Sequence, residues 1–160
     1  MENELQKEHK WLQRFVGDWS YDVECDTGPG QPQAKATGLE HVRSLGGLWI
    51  VAEGQGEMPG GGPATTITTL GFDPQRGRFV GTFIASMMTY LWLYDGELDA
   101  AGRVLTLNAE GPDMSTEGKT TKYKDVVEFK SDDHRMLTSH MLGDDGAWHQ
   151  FMTANYRRKR

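Results

Sequence analysis

Asp125 is the residue in this chain whose setting most invites chemistry. In Lys122-Tyr123-Lys124-Asp125-Val126-Val127-Glu128-Phe129, alternation puts Tyr123, Asp125, Val127 and Phe129 on one face and the two lysines on the other. A carboxylate on an apolar face needs a partner: an arginine such as Arg43, a hydroxyl such as Ser139, or a cation carried by a ligand. Buried without one, it would keep its proton above the usual carboxylate range and could work as a general base. The plainer reading is a structural ion pair or a rim position. Glu53 and Glu110 are weaker candidates of the same kind, and no spacing marks two of these carboxylates as a catalytic pair.

His140 and His149 flank the turn Gly143-Asp144-Asp145-Gly146. A loop of Gly143 to Gly146 would set them opposite each other, close enough to share a metal. A three-residue loop with Gly146 left-handed sets His140 opposite Gln150 instead, and the glycine favours that register. Two imidazoles without a third ligand fall short of a metal or haem site. His9, His41 and His134 read as surface or capping residues, and Cys25, the single cysteine, as an inert buried thiol. There is no Gly-x-Ser-x-Gly elbow and no Gly-x-x-x-x-Gly-Lys loop, and Gly54-Gln55-Gly56 lacks the third glycine and helix of a dinucleotide site. No catalytic residue, metal or cofactor is therefore expected, and the reading leans away from an enzyme.

These residues must be positioned by strands. One amphipathic helix is predicted over 4–16, N-capped by Asn3 with Gln6 three residues on, and stopped by Gly17. Trp19 to Cys25 then alternates cleanly, with Trp19, Tyr21, Val23 and Cys25 on one face. Further strands are predicted at 34–45, 48–56, 64–73, 77–86, 89–98, 103–110, 120–130, 134–142 and 147–157, separated by Gly, Pro and Asp turns. The fold class that follows is all-β: a roughly ten-stranded antiparallel up-and-down barrel, one domain over 1–160, with a single N-terminal capping helix. Pairing the first strand with the last removes both exposed edges. Gly17, Trp19 and Arg157 would form that closure, the guanidinium lying over the indole.

Alternation also nominates the lumen. Tyr90, Trp92 and Tyr94 share one face, Phe79, Phe83 and Ala85 another, and Tyr21, Tyr123, Asp125 and Ser139 complete the set. These side chains either surround a small ligand or fill the barrel themselves. Val80, Ile84, Leu91 and Leu93 lie on the opposite faces, more apolar than a lone barrel needs, which raises a homodimer.

Composition bounds the partners. The 160 residues are 37% hydrophobic and 25% charged, which fits a folded soluble domain, and the net charge of −6 argues against nucleic acid. The basic tail Arg157-Arg158-Lys159-Arg160 is too short to reverse that. No apolar run is long enough to span a membrane, and Met1-Glu2-Asn3-Glu4-Leu5 lacks the basic start and apolar run expected of a secretory signal. A cytoplasmic location is the expectation, since one cysteine supports no disulfide framework.

A set of local sequences carries a family likeness: His9-Lys10-Trp11-Leu12, Phe15-Val16-Gly17-Asp18-Trp19, Gly71-Phe72-Asp73-Pro74, Gly77-Arg78-Phe79-Val80-Gly81-Thr82, Lys122-Tyr123-Lys124-Asp125-Val126, Leu142-Gly143-Asp144-Asp145-Gly146 and Met152-Thr153-Ala154-Asn155-Tyr156-Arg157-Arg158. With these the chain resembles the calycin superfamily of lipocalin-like and fatty-acid-binding barrels, and most of all a bacterial family of uncharacterised barrels, a domain of unknown function. The resemblance implies a barrel that binds something small and apolar, and brings no established activity or catalytic residue. The functional expectation is a non-enzymatic binder of a small hydrophobic or aromatic ligand. The alternatives are a small-molecule enzyme using Asp125, Tyr123 or a histidine in the same cavity, and a haem-binding barrel.

Overall fold

In the computed structural model, which describes residues 4–58 and 61–160, one short helix is followed by ten strands. Helix α1 (Lys7–Leu12) runs into a 3-10 turn (Gln13–Phe15). The strands are β1 (Gly17–Cys25), β2 (Ala34–Leu45), β3 (Trp49–Glu57), β4 (Pro63–Asp73), β5 (Arg78–Ala85), β6 (Trp92–Leu98), β7 (Val104–Pro112), β8 (Thr120–Ser131), β9 (His134–Leu142) and β10 (Trp148–Arg158). Each pairs antiparallel with its neighbour in the chain, and β1 closes the ring against β10. The expected up-and-down barrel is the one observed. Strand limits fall close to those predicted, apart from β6, which starts at Trp92 rather than at 89.

The helix is shorter than the predicted 4–16. Gln6 is its N-cap, and the expected cap Asn3 lies outside the described residues. The backbone N–H of Gln6 donates to His9 Nδ1 at 2.9 Å, and His9 Nε2 meets the Phe72 carbonyl at 3.0 Å, so one buried imidazole starts the helix and ties it to β4. Leu12 and Phe15 then plug one end of the barrel. Trp11 packs edge-on against Phe15, Phe79 and Phe129, and its Nε1 donates to the Gly102 carbonyl at 2.7 Å.

Trp19 is fully buried in this floor, its Nε1 donating to the Phe15 carbonyl at 2.8 Å. The arginine over its ring is Arg158, not Arg157: the guanidinium carbon sits 4.2 Å from the indole centroid. Register places Arg158 there. Trp19 pairs with Arg158 across β1 and β10, so those two share a face, while Arg157 points outward toward Asp22 at 3.6 Å. Arg158 also donates to the carbonyls of Val16 at 2.7 Å and Arg14 at 2.9 Å, which locks the last strand to the helix–strand junction. Gly17 makes room for it. Its φ is +135°, and a Cβ there would stand 2.4 Å from Arg158 Nη1.

Candidate functional site

Above the plugged floor the barrel encloses a cavity of about 340 Å³. It is open because its rings lie flat against the walls. Tyr21 rests on Gly38 and Gly56, where an added Cβ would come within 2.3 and 2.6 Å of its ring or hydroxyl. Trp92 lies on Gly111 in the same way, a Cβ there meeting the indole at 2.3 Å. Glycines in these strands therefore give up their own packing so that an aromatic side chain hugs the sheet. Edge-to-face contacts between Trp92 and Tyr123, and between Tyr90 and Trp92, brace the wall.

Tyr21, Phe83, Trp92, Tyr94, Tyr123, Asp125 and Ser139 all line this cavity. Tyr90 does not. It precedes β6, is 38% exposed, and donates its hydroxyl to the Glu110 carbonyl at 2.9 Å, where it edges a shallow outer groove with Leu93 and Trp148. Of the partners considered for Asp125, Ser139 is the one present, donating at 2.7 Å, and Tyr94 donates its hydroxyl to the other carboxylate oxygen. Arg43 is exposed, as are Glu53 and Glu110. Burial raises the Asp125 pKa against the opposing pull of those two hydrogen bonds and of His140. Burial and the neighbouring carboxylate likewise push Tyr94 well above the usual phenol range.

Sequence reasoning missed the deepest polar pair. Glu40 on β2 and Arg135 on β9 are both buried and form an ion pair in the cavity wall. The Arg135 guanidinium is stacked among Tyr156, Trp19 and Phe15, at 4.1, 4.5 and 4.9 Å from their centroids. The signal was there in β2, where Ala36, Glu40 and Val42 fall on one face and a carboxylate among apolar neighbours demands a cation. Two buried donors have no acceptor among the described residues: Arg135 Nη1 and Trp92 Nε1.

The opposite end is the mouth. Met58, Met87, Met88, Met114 and Met152 line the cavity there, just beyond or within the strand ends, giving an adaptable rim of unbranched thioether side chains. Among the described residues no histidine lines the cavity. The turn sets His140 opposite Gln150, the register the turn glycine favoured, with Gly146 at φ +78°, and a bulge between Gln150 and Met152 then shifts the pairing so that Ser139 faces Met152. His140 contacts Thr138 and His149 contacts Asp145, so the two imidazoles do not meet. Among the described residues no group of three His, Cys, Asp or Glu side chains is placed to hold a metal. The Tyr123 hydroxyl is committed to the Pro112 carbonyl. On the outside of the barrel Ile84, Leu91 and Leu93 are 45, 52 and 62% exposed. No helix among the described residues is long and apolar enough to cross a membrane.

Solved structures share the architecture at low identity. Rv2717c from M. tuberculosis is 12% identical with a TM-score of 0.67, the match covering 98% of this chain and 100% of that one. EF1p2_mFAP2b, solved bound to DFHBI, is 14% identical with a TM-score of 0.51 over 94% of this chain and 98% of that one. A fluorescence-activating beta barrel designed de novo is 12% identical with a TM-score of 0.51, over 92% of this chain and 95% of that one. No curated protein matches the sequence. Residues 4–158 match the family described as protein of unknown function (DUF1579), and the chain belongs to that family.

Proposed function

We propose that this protein is a non-enzymatic binder of a small, largely apolar or aromatic molecule held in the barrel lumen. The observation that carries the reading is the cavity itself: about 340 Å³, plugged at one end, open at a methionine rim, and walled by rings that glycines hold flat. A lumen filled by its own side chains was the competing expectation, and the flattened rings oppose it. The DFHBI carried by the EF1p2_mFAP2b barrel is consistent with the reading. Kinship with calycin barrels rests on Gly17-x-Trp19 with its stacked arginine, and cytoplasmic residence on the single cysteine.

The enzyme alternative retains only Asp125, since Tyr123 is committed and no histidine lines the cavity among the described residues. A haem would have to be held without an imidazole from this lining. A homodimer through the Ile84, Leu91 and Leu93 patch is tested by sedimentation, and a monomer at high concentration retires it. The binder reading is tested with phenylnaphthylamine, a neutral fluorophore that brightens in apolar surroundings. Wild type brightens it, and Ala109→Phe, which fills the lumen from β7, abolishes the signal while keeping a cooperative thermal transition. Equal brightening by both proteins places the probe outside the lumen and removes the reading. Native mass spectrometry of protein purified from cells, followed by extraction, then seeks the natural ligand.

A further inference from the structure

The lumen reading leaves open what polar group a ligand carries. Arg135 is 4% exposed, its Nη2 engages Glu40, and its Nη1 has no acceptor among the described residues. Three rings and one carboxylate fix the guanidinium in place, so the free donor is pre-oriented rather than mobile. Beside it, no hydrogen bond among the described residues engages the hydroxyl of Tyr156, whose ring is stacked on the guanidinium, or that of Tyr21, whose ring lies 5.3 Å from Tyr156. All four residues line the cavity. A buried guanidinium N–H without an acceptor is expensive, and a ligand oxygen that reaches it recovers a charge-assisted hydrogen bond.

Charge decides which oxygen. The lining holds three carboxyl groups, Glu40, Glu57 and Asp125, against one cation, Arg135, and Glu40 already neutralises that cation. A ligand carboxylate would bring one more acid into a low-dielectric space with no unmatched positive charge. An uncharged carbonyl, ether or hydroxyl oxygen meets the donor without that repulsion.

We infer that the deep end of the lumen recognises an uncharged ligand through an oxygen acceptor placed against Arg135, with Tyr156 and Tyr21 beside it, and discriminates against carboxylates. This rests on the lumen-binding reading and narrows its ligand class.

The test is a matched series that displaces phenylnaphthylamine at about pH 8, where carboxylates are ionised: para-butylacetophenone, para-butylethylbenzene and para-butylbenzoate. The ketone binds about tenfold tighter than the hydrocarbon, and about tenfold or more tighter than the benzoate. Glu40→Gln keeps an oxygen facing Arg135 but removes one negative charge, so it raises benzoate affinity about tenfold and leaves the ketone within about twofold. Ketone and hydrocarbon binding equally overturns the role of Arg135, and benzoate binding as tightly as ketone overturns the charge argument. The wild-type series decides these points even if the variant does not fold. Failure of all three, and of the fluorophore, removes the lumen reading and this inference together, whereas fluorophore binding without the preference removes only the inference.

Discussion

Burial is the largest influence on Asp125, and it gives the residue a measurable signature. The groups around it are Tyr94 on β6, Ser139 and His140 on β9, and Tyr156 on β10, with Tyr123 on its own strand. Since folding raises its pKa, the folded state favours the protonated acid. The resulting stability is fully present below the unfolded value of about 3.9 and is lost as pH rises through the raised folded value. Asp125→Asn removes this dependence and keeps an acceptor for Ser139 or Tyr94. Thermal midpoints at about pH 4 and about pH 7.5 should therefore move against wild type, relative to the variant, at the higher pH. An unchanged gap would show that burial of the charge is not what sets its protonation. At the neighbouring pair, Arg135→Met alone leaves Glu40 buried without its cation and is expected to destabilise by about 3–5 kcal/mol. The double variant Glu40→Leu/Arg135→Met recovers most of that loss in denaturant titrations.

Elements set which of these residues could be foreseen. Strand number, order and most limits were legible because alternation and turn residues are local signals, and the inward set from β5, β6 and β8 followed from the same period of two. Phase was the weak point. The bulge between Gln150 and Met152 resets β10, so the inward arginine is Arg158 and a one-residue error exchanged a floor residue for a surface one. Tyr90 failed for a related reason, since pairing of β5 with β6 reaches only to Trp92 and the alternation before it has no sheet to obey. Glu40 and Arg135 lie 95 residues apart, and only closure of the sheet reveals them as partners. Two substitutions separate the arginines: Arg158→Ala should lower stability by about 2 kcal/mol or more through lost carbonyl bonds and stacking, and Arg157→Ala by about 0.5 kcal/mol or less. Gly38→Val is expected to push the Tyr21 ring off β2 and into the lumen, shrinking the space open to phenylnaphthylamine and weakening its binding.

At the scale of the whole molecule, the ring is completed by its first and last strands. Arg158 reaches the Val16 carbonyl across 142 residues, and Lys159 donates its backbone N–H to the Asp18 carbonyl at 2.8 Å. On the ribosome, β1 can pair with β2 early, but its other edge must wait for nearly the whole chain to be translated before β10 exists. Long-range pairing of this kind slows folding and prolongs exposure of unpaired edges. A nascent chain arrested after Leu142 should be digested readily by protease, while the released full-length protein resists it. Cells making this barrel quickly would then depend on chaperones to shield that first strand until synthesis ends.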